Sequence, residues 1–244
     1  MVGDKQRMRS VVMIPAGRYQ IGDESTLNAG PRHYREFDHP VWLDKYPVRL
    51  LELEDVVVSG RLQPAANERD ACVKHSVDGR YRAILDACSS WCLRKSANDH
   101  GLTDFPLCGL TWPEAVQVCQ FYAARLPTEA EWEVAMVGIE IASSKETRPV
   151  RGKLDDVTRP RSREKCESIA GSLQEWTSDP WSPRYWRSDD RNTTVAVVGN
   201  VRISVRGCTS NGVPSLFARM AASQFDVSNP RVFRRVWDRR PELG

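Results

Sequence analysis

The residues with the most chemical potential are the cysteines and histidines, and their spacing disfavours a catalytic or metal site. The seven cysteines are at positions 72, 88, 92, 108, 119, 166 and 208. Their number is odd, no two form a CxxC pair, and Cys88 and Cys92 lie four apart on a predicted helix, which fits a buried face better than zinc. The four histidines are His33, His39, His75 and His100. No two histidines have the spacing of one ligand face, so we expect no metal centre. We expect most of the cysteines to be reduced thiols in the core.

The aromatic residues between Thr177 and Arg187 favour a binding function. The segment from Thr177 to Arg187, TSDPWSPRYWR, holds two Trp, one Tyr and two Arg in a loop stiffened by proline. These residue types are enriched at binding hot spots, because they bury much area at little entropic cost. The alternative is that Trp181 and Trp186 fold inward as core residues. Glycine-rich phosphate loops, GxSxG and HExxH are all missing from the chain, so no catalytic motif competes with this interpretation.

The charged residues do not support nucleic-acid binding. The net charge is +3, and Lys supplies only 7 of the 35 basic residues. Arginine suits internal ion pairs and protein interfaces as well as phosphate. Residues 144–166 lack periodicity and are rich in Arg and Lys, which predicts an exposed loop. A solvated loop is the default interpretation of this run, and a site for an acidic partner is the alternative.

Length and composition indicate a soluble globular domain. At 244 residues the chain buries enough surface to fold without a disulfide or metal. Hydrophobic residues make up 41% and charged residues 27%, which is ordinary for such proteins. No segment approaches the ~20 apolar residues of a membrane span. Met1 to Ser10 lacks the apolar core of a signal peptide, so we expect a cytoplasmic location and no membrane contact.

The elements that must position these residues are short. Val11 to Gly22 predicts two strands around a Pro-Ala-Gly turn, and His39 to Val48 alternates like a half-buried strand. An amphipathic helix is indicated by Tyr81, Ile84, Leu85 and Cys88, which recur at i, i+3, i+4 and i+7.

Two capping boxes mark further helix starts, at Thr111 with Glu114 and at Thr128 with Glu131. The last third of the chain holds short strands and turns, with tryptophans spaced through it. Together these elements predict an α+β domain of irregular build.

The order of these pieces resembles the formylglycine-generating-enzyme (sulfatase-modifying-factor) family. The most specific match is RLPTEAEWE, from Arg125 to Glu133. The other matching segments are MIPAGRYQIG (13–22), HPVWLDKY (39–46), YRAIL (81–85), the helix at 110–122, GSLQEWT (171–177), RGCT (206–209), RMAA (219–222) and VFR (232–234). The resemblance covers nearly the whole chain in the right order.

The resemblance implies one domain over residues 1–244, with the irregular, C-type-lectin-like fold of the family. It also implies an insertion near residues 49–74, and an exposed basic loop at 144–166. The residues that it implies to be structural, and to specify the frame, are Arg125, Thr128, Glu131, Trp132, Glu175, Trp176, Arg206, Arg219 and Arg234. We expect the arginines among them to form buried ion pairs with carboxylates such as Glu131, Glu133 and Glu175.

The sequence departs from the family where the oxidase binds copper. Family oxidases use two cysteines downstream of Arg-Gly-Gly-Ser, since Cu(I) requires soft thiolates. Residues 210–218 contain no cysteine, and Cys208 replaces the second glycine of that motif. Ser172 stands where an asparagine helps bind calcium in the family, and it is a weaker ligand. We therefore expect no cofactor: copper is disfavoured, and calcium is left open but disfavoured.

Two functions follow from this resemblance. The first is a non-catalytic recognition module for a protein or ligand, in a bacterial defence or signalling assembly. A protein partner would dock in a cleft lined by Arg184, Tyr185, Trp186, Arg187, Ser210 and Asn211. The second is an enzyme of the same family whose oxidative chemistry does not use a two-cysteine copper site. The oligomeric state is left open.

Overall fold

The computed structural model describes residues 11–63, 77–93, 106–137, 174–183, 201–208, 214–229 and 231–242. The helices in these residues are α1 (Leu51–Val58), α2 (Val77–Leu93), α3 (Trp112–Phe121) and α4 (Glu129–Val137). The strands are β1 (Val11–Ile14), β2 (Gly17–Ile21), β3 (His33–Phe37), β4 (Val41–Asp44), β5 (Gln174–Pro180), β6 (Arg202–Cys208), β7 (Pro214–Ser223), β8 (Arg231–Val232) and β9 (Val236–Trp237). The α+β class is confirmed, and so is the small share of regular structure.

The strands form three small sheets rather than one large one. The first has the order β1-β4-β9, the second pairs β2 with β3, and the third has the order β7-β6-β5-β8. All pairings are antiparallel except β5 with β8. The predicted strands around the Pro-Ala-Gly turn are β1 and β2, which belong to different sheets. The turn therefore carries the chain from one sheet to the next.

The predicted helices are present, and local chemistry explains where they begin. At α3 the Thr111 side chain accepts a hydrogen bond from the Glu114 amide, while Glu114 accepts one from the Thr111 amide, so the capping box is confirmed. Helix α2 buries Ile84 and Cys88 on one face, as their spacing predicts. Helix α1 lies within the segment 49–74. Its Leu53 and Val56 are fully buried, so this part of the segment is integral to the core.

Two clusters of buried side chains form the interior. The helical core lies among α1, α2, α3 and the four-stranded sheet, and includes Leu53, Ile84, Val118, Trp176 and Phe233. The sheet core lies under α4 and includes residues of β1, β2, β4 and β9, with Trp132 the largest of its side chains. The basic run at 144–166 lies outside the described residues.

Irregular pairing in the four-stranded sheet re-aims two segments. The register of β6 with β7 shifts between Arg206, which pairs with Arg219, and Gly207, which pairs with Ser215, so residues 216–218 of β7 form a bulge. The register of β5 with β6 shifts between Trp176 and Pro180. Bulges of this kind bend a strand and redirect its side chains. Both bulges adjoin the same group of buried charges, which the next section describes.

Candidate functional site

Helix α4 begins with the second predicted capping box. The Thr128 hydroxyl accepts a hydrogen bond from the Glu131 amide at 3.1 Å, and the Glu131 carboxylate accepts one from the Thr128 amide at 2.7 Å. This start fixes the rotation of the helix about its axis. Positions 129, 132 and 133, spaced i, i+3 and i+4, then share one face.

That face of α4 meets a row of charged residues across the four-stranded sheet. Glu175, Arg206 and Arg219 are register partners on three neighbouring strands, so their side chains lie on the same side of the sheet. Two arginines directly opposite each other repel unless carboxylates lie between them. Glu129 and Glu133 of α4 supply those carboxylates.

The ion pairs in this row are buried, and each arginine forms several hydrogen bonds. Arg206 donates to Glu133 at 2.5 Å and to Glu129 at 3.3 Å. Arg219 donates to both oxygens of Glu129, from Nη2 at 2.6 Å and also from Nε. The side chains of all four residues are at most 1% exposed. Buried guanidinium–carboxylate pairs with this geometry are strong and directional.

The same two arginines also hold backbone carbonyls from three loops. Arg219 Nη1 donates to the carbonyl of Asn28 at 2.7 Å and to that of Ser182 at 3.1 Å. Arg206 Nη2 donates to the carbonyl of Leu216 at 3.1 Å. We call the place where these three carbonyls converge on Arg206 and Arg219 the loop junction. It joins the 22–32 loop, the end of β5 and the bulge of β7.

Glu133 extends the junction to Gly22. The Gly22 amide donates to the Glu133 carboxylate at 2.6 Å. Gly22 has φ +90°, and a Cβ at this position would lie 2.7 Å from the Pro31 carbonyl oxygen and 2.8 Å from that of Ala29. Only glycine fits there, because both neighbours are backbone. The entry to the 22–32 loop is therefore fixed by one residue and one buried carboxylate.

A further carboxyl group lies beside the junction. Asp179, in the bulge of β5, accepts a hydrogen bond from the Glu129 amide at 2.6 Å. Burial, with the negative charge of Glu129 next in effect, raises the pKa of Asp179 to about 7. An acidic group at the N-terminus of α4 also interacts favourably with the helix dipole. Asp179 thus ties the bulged strand to the start of the helix.

The remaining expected frame residues lie around this row. Glu175 accepts hydrogen bonds from Arg234 Nε at 2.9 Å and from Trp132 Nε1 at 3.0 Å. The Trp176 ring is fully buried, and its Nε1 donates to the Leu110 carbonyl at 3.3 Å. The buried ion pairs predicted for Arg206 and Arg234 with Glu133 and Glu175 are present.

Arg125 forms an ion pair at the surface rather than in the interior. It pairs with Glu131 at 2.6 Å and with Asp238 at 2.7 Å, and its side chain is 37% exposed. The pairing with Glu131 agrees with the prediction. Its exposure does not, because the second partner, Asp238, is itself 55% exposed.

Helix α4 lies within the part of the chain that a family profile matches. The profile of the sulfatase-modifying factor enzyme 1-like domain matches residues 1–166 of the chain. The chain belongs to this family. The match covers about two thirds of the 244 residues, and includes β1 to β4 and all four helices.

A curated relative shows how this unit occurs elsewhere. Over 168 residues the chain is 28% identical to the serine/threonine-protein kinase Pkn1 of Chlamydia trachomatis serovar L2. The alignment covers 59% of this chain and 26% of the kinase, so the chain spans only about a quarter of that relative.

One solved structure supports the family's fold. PvdO from Pseudomonas aeruginosa superposes with a TM-score of 0.61 at 17% identity, covering 93% of each chain. Variable protein 1 of Treponema denticola gives a TM-score of 0.47 at 17% identity, covering 94% of this chain and 95% of that one. At 17% identity the likeness to PvdO concerns the fold, and it confirms the family's irregular fold for this chain.

The outer face of the loop junction is partly apolar. Leu27 is 84% exposed at the tip of the 22–32 loop, next to the Asn28 that Arg219 holds. Trp181 is half-buried, and its ring centroid lies 5.0 Å from the guanidinium carbon of Arg219. Pro183 is exposed. Asn28 and Ser182 share one donor atom, so these two loops are adjacent.

The residues predicted to line the cleft lie outside the described part of the chain. These are Arg184, Tyr185, Trp186, Arg187, Ser210 and Asn211. Their places in the sequence are informative: Arg184 comes two residues after Ser182, and residues 209–213 connect β6 to β7. The cleft therefore stays a prediction.

Several residues of the site were not predicted from sequence. Glu129 enters the sequence analysis only as part of the RLPTEAEWE segment, although it is the central carboxylate of the row. Asn28 and Ser182 contribute carbonyl groups, which leave no side-chain signature. Arg235 is another such residue: it pairs with Asp44 at 2.7 Å and with Glu52 at 2.5 Å, and its side chain is 2% exposed.

Metal binding and membrane insertion are not indicated by the described residues. Within those ranges, no group of three or more His, Cys, Asp or Glu side chains is arranged to hold a metal ion. Searching the same residues finds no helix with the length and apolar character needed to cross a membrane.

Proposed function

We propose that this chain is a non-catalytic recognition domain that binds a protein partner through the outer face of the loop junction. The observation that carries the proposal is the double role of Arg219. One nitrogen of this buried side chain holds carbonyls from two loops, while the others bind Glu129 of the frame. The loops are fixed from beneath, and their outer residues, Leu27 and Pro183, are free to make contacts.

Preorganisation is what makes such a surface suited to binding. A loop held in one conformation before association loses little entropy when the partner docks. Leu27 and Pro183 are exposed apolar side chains at the junction, and the 22–32 loop is fixed at both Gly22 and Asn28. The aromatic and arginine residues at 184–187 continue this surface in the sequence and have the types found at hot spots.

Sequence chemistry supports recognition over oxidation. The two thiolates that Cu(I) requires are missing from residues 210–218, where the family's oxidases carry them. The charged side chains beneath the junction are paired with each other, so they stabilise the frame. A relative named as a protein kinase carries a similar unit within a much longer chain. This likeness supports our proposal that the domain works in a signalling assembly.

The test is site-specific crosslinking with a matched control. A photoreactive amino acid is introduced at Leu27 and, separately, at Val58, which is exposed to a similar extent (84% and 88%). Val58 is the exposed last residue of α1, a helix that packs in the helical core. Leu27 lies at the loop junction. In cells of the source organism we expect a discrete protein adduct from position 27 and not from position 58. Equal crosslinking at both positions, or none at 27, contradicts the proposed surface.

A second experiment tests whether the chain has the copper-dependent cysteine oxidation of the family's oxidases. The protein is incubated with Cu(I), oxygen and a Cys-x-Pro-x-Arg peptide, and the aldehyde product is sought by mass. We expect none, because two thiolates are needed and only Cys208 lies near this segment in the sequence. Turnover comparable to that of a family oxidase would show that the chain is an enzyme.

A further inference from the structure

Two buried thiols lie against each other where α2 packs on the segment before α3. The sulfur atoms of Cys88 and Cys108 are 3.5 Å apart. The Cys108 amide donates to the Cys88 sulfur at 3.4 Å, and the Cys88 thiol lies 3.3 Å from the Cys108 carbonyl oxygen. Both residues are fully buried and unoxidised. This is a pair of cysteines from separate segments that share one site.

The surrounding contacts hold the two segments together independently of the sulfurs. Arg80 of α2 donates to the Gly109 carbonyl at 2.7 Å and to both oxygens of Glu114 at 2.6 Å. Gly109 has φ +79°, and a Cβ there would lie 2.8 Å from the Ala87 Cβ. The backbone next to Cys108 is thus pressed against α2. The sulfurs are held near each other before any bond forms.

Forming a disulfide from this arrangement needs only a small movement. The bond length is about 2.05 Å, so the sulfurs, now 3.5 Å apart, must approach by roughly 1.5 Å. The hydrogen bond from Cys108 lowers the pKa of the Cys88 thiol, which favours Cys88 as the attacking sulfur. Burial excludes bulky reagents, so the oxidant must be small and neutral.

We propose that Cys88 and Cys108 form a redox-sensitive dithiol, which hydrogen peroxide converts to an intrachain disulfide. The Cys88 thiolate attacks one peroxide oxygen, the O–O bond breaks, and a sulfenic acid and one water result. The Cys108 sulfur then attacks the sulfur of the sulfenic acid, forming the S–S bond and releasing a second water. In total two thiols lose two protons and two electrons, and one peroxide is reduced to two waters.

The disulfide would join α2 covalently to the start of the α3 segment. It closes a loop from residue 88 to residue 108, which restricts the unfolded state. The packing of α2 against Cys108 and Gly109 stays in place. For a loop and a domain of these sizes we expect the melting temperature to rise by about 5–10 °C on oxidation. Reduction with dithiothreitol should reverse the shift.

Peptide mapping tests the proposal directly. The folded protein is treated with hydrogen peroxide, remaining thiols are alkylated, and tryptic peptides are sequenced by mass spectrometry. Cys88 falls in peptide 83–94 with Cys92, and Cys108 in peptide 96–125 with Cys119. We expect these peptides to be linked, and fragmentation to place the bond at Cys88 and Cys108. The linked peptide should persist in Cys119→Ala, another fully buried thiol, and disappear in Cys108→Ala.

Two results would overturn the inference. One is a disulfide that maps to Cys92 or Cys119. This result comes from the wild-type protein, so it does not depend on whether any variant folds. The other is recovery of both Cys88 and Cys108 as alkylated thiols after peroxide treatment followed by unfolding in the alkylating reagent. Neither outcome bears on the loop junction, so this inference and the proposed function stand or fall separately.

Discussion

Single arginine side chains connect segments that hydrogen-bonded strands would connect in a more regular fold. A guanidinium has five N–H donors in a planar fork, so it can bind a carboxylate and a backbone carbonyl at once. Arg219 does so with Glu129 and two loop carbonyls, and Arg234 does so with Glu175 and the Lys45 carbonyl. Such buried pairs add little net stability against an apolar core, but removing one partner is costly.

Trp132 is the residue on which both sides of the α4 interface depend. Its ring is fully buried, its Nε1 donates to Glu175, and the Arg206 guanidinium lies 5.2 Å from its centroid. We expect Trp132→Ala to lower the free energy of unfolding by about 3–5 kcal/mol, as for other large aromatics removed from cores. Urea denaturation measures the change, and Trp132→Phe should lose less. An unchanged midpoint for the alanine variant would mean that α4 is not packed as described.

Gly22 and Gly60 separate backbone strain from steric overlap. Both have positive φ, +90° and +68°, but a Cβ at Gly60 meets nothing within 4 Å, whereas one at Gly22 meets two backbone oxygens below 3 Å. Gly60→Ala should therefore cost only the strain of about 1–2 kcal/mol. Gly22→Ala should cost more, since the loop must also move away from Glu133. Thermal melts of the two variants side by side check this, and equal losses would argue against a fixed loop entry.

Residue-level prediction from sequence succeeded for local chemistry and failed for shared partners. The Thr128–Glu131 box was predictable because its groups are three positions apart. The central role of Glu129 was not, since its arginines lie 77 and 90 positions away. Motif resemblance identified Arg206 and Arg219 as structural residues, but it does not show which carboxylate lies between them. The Asn28 and Ser182 carbonyls were beyond prediction, because any residue supplies a carbonyl.

At the scale of elements, α4 explains why its motif contains several glutamates. Glu129, Trp132 and Glu133 face the charged row of the four-stranded sheet, while Glu131 turns towards Arg125 at the surface. The same residue type therefore has two roles on one short helix. Position along the helix decides which glutamates face the charged row and which one faces Arg125.

Paired substitutions on α4 distinguish these two roles. Glu133→Leu leaves Arg206 and the Gly22 amide short of a buried partner, and we expect a loss of about 3–5 kcal/mol. Glu131→Leu removes a cap worth about 1 kcal/mol and a pair with Arg125, whose side chain is 37% exposed, worth about 0–1 kcal/mol. Arg125 also keeps Asp238 as a partner. Chemical denaturation of both variants gives the comparison, and a larger loss for Glu131→Leu would contradict the assignment of the two faces.

The helices were easier to predict than the sheets, for a physical reason. Caps and i, i+4 spacing are local, so α2, α3 and α4 could be located from their own residues. Strand pairing is not local: β4 pairs with β9, and β5 lies parallel to β8. Helix α1 was also missed as a helix, because its run of leucine and valine fits a buried strand equally well.

At the scale of the whole molecule, the last strands connect the two cores. Residues 231–237 are buried throughout, with Val232 and Phe233 in the helical core and Val236 in the sheet core. β9 pairs with β4, and the Arg125 and Val236 backbones exchange hydrogen bonds at 3.0 and 2.8 Å. One short segment thus contributes to both clusters and to two sheets.

This shared segment predicts that the protein unfolds as one unit in spite of its two cores. Neither cluster keeps its packing once residues 231–237 leave, so partial unfolding of one core exposes the other. In urea, the transitions followed by far-ultraviolet circular dichroism and by tryptophan fluorescence should therefore coincide, which is the behaviour of a two-state domain. Fluorescence reports on both clusters, because Trp176 lies in one and Trp132 in the other. A chain ending at residue 230 should not give a cooperative transition by either probe. Two separate transitions in the full chain, or cooperative melting of the shortened one, would show that the cores fold independently.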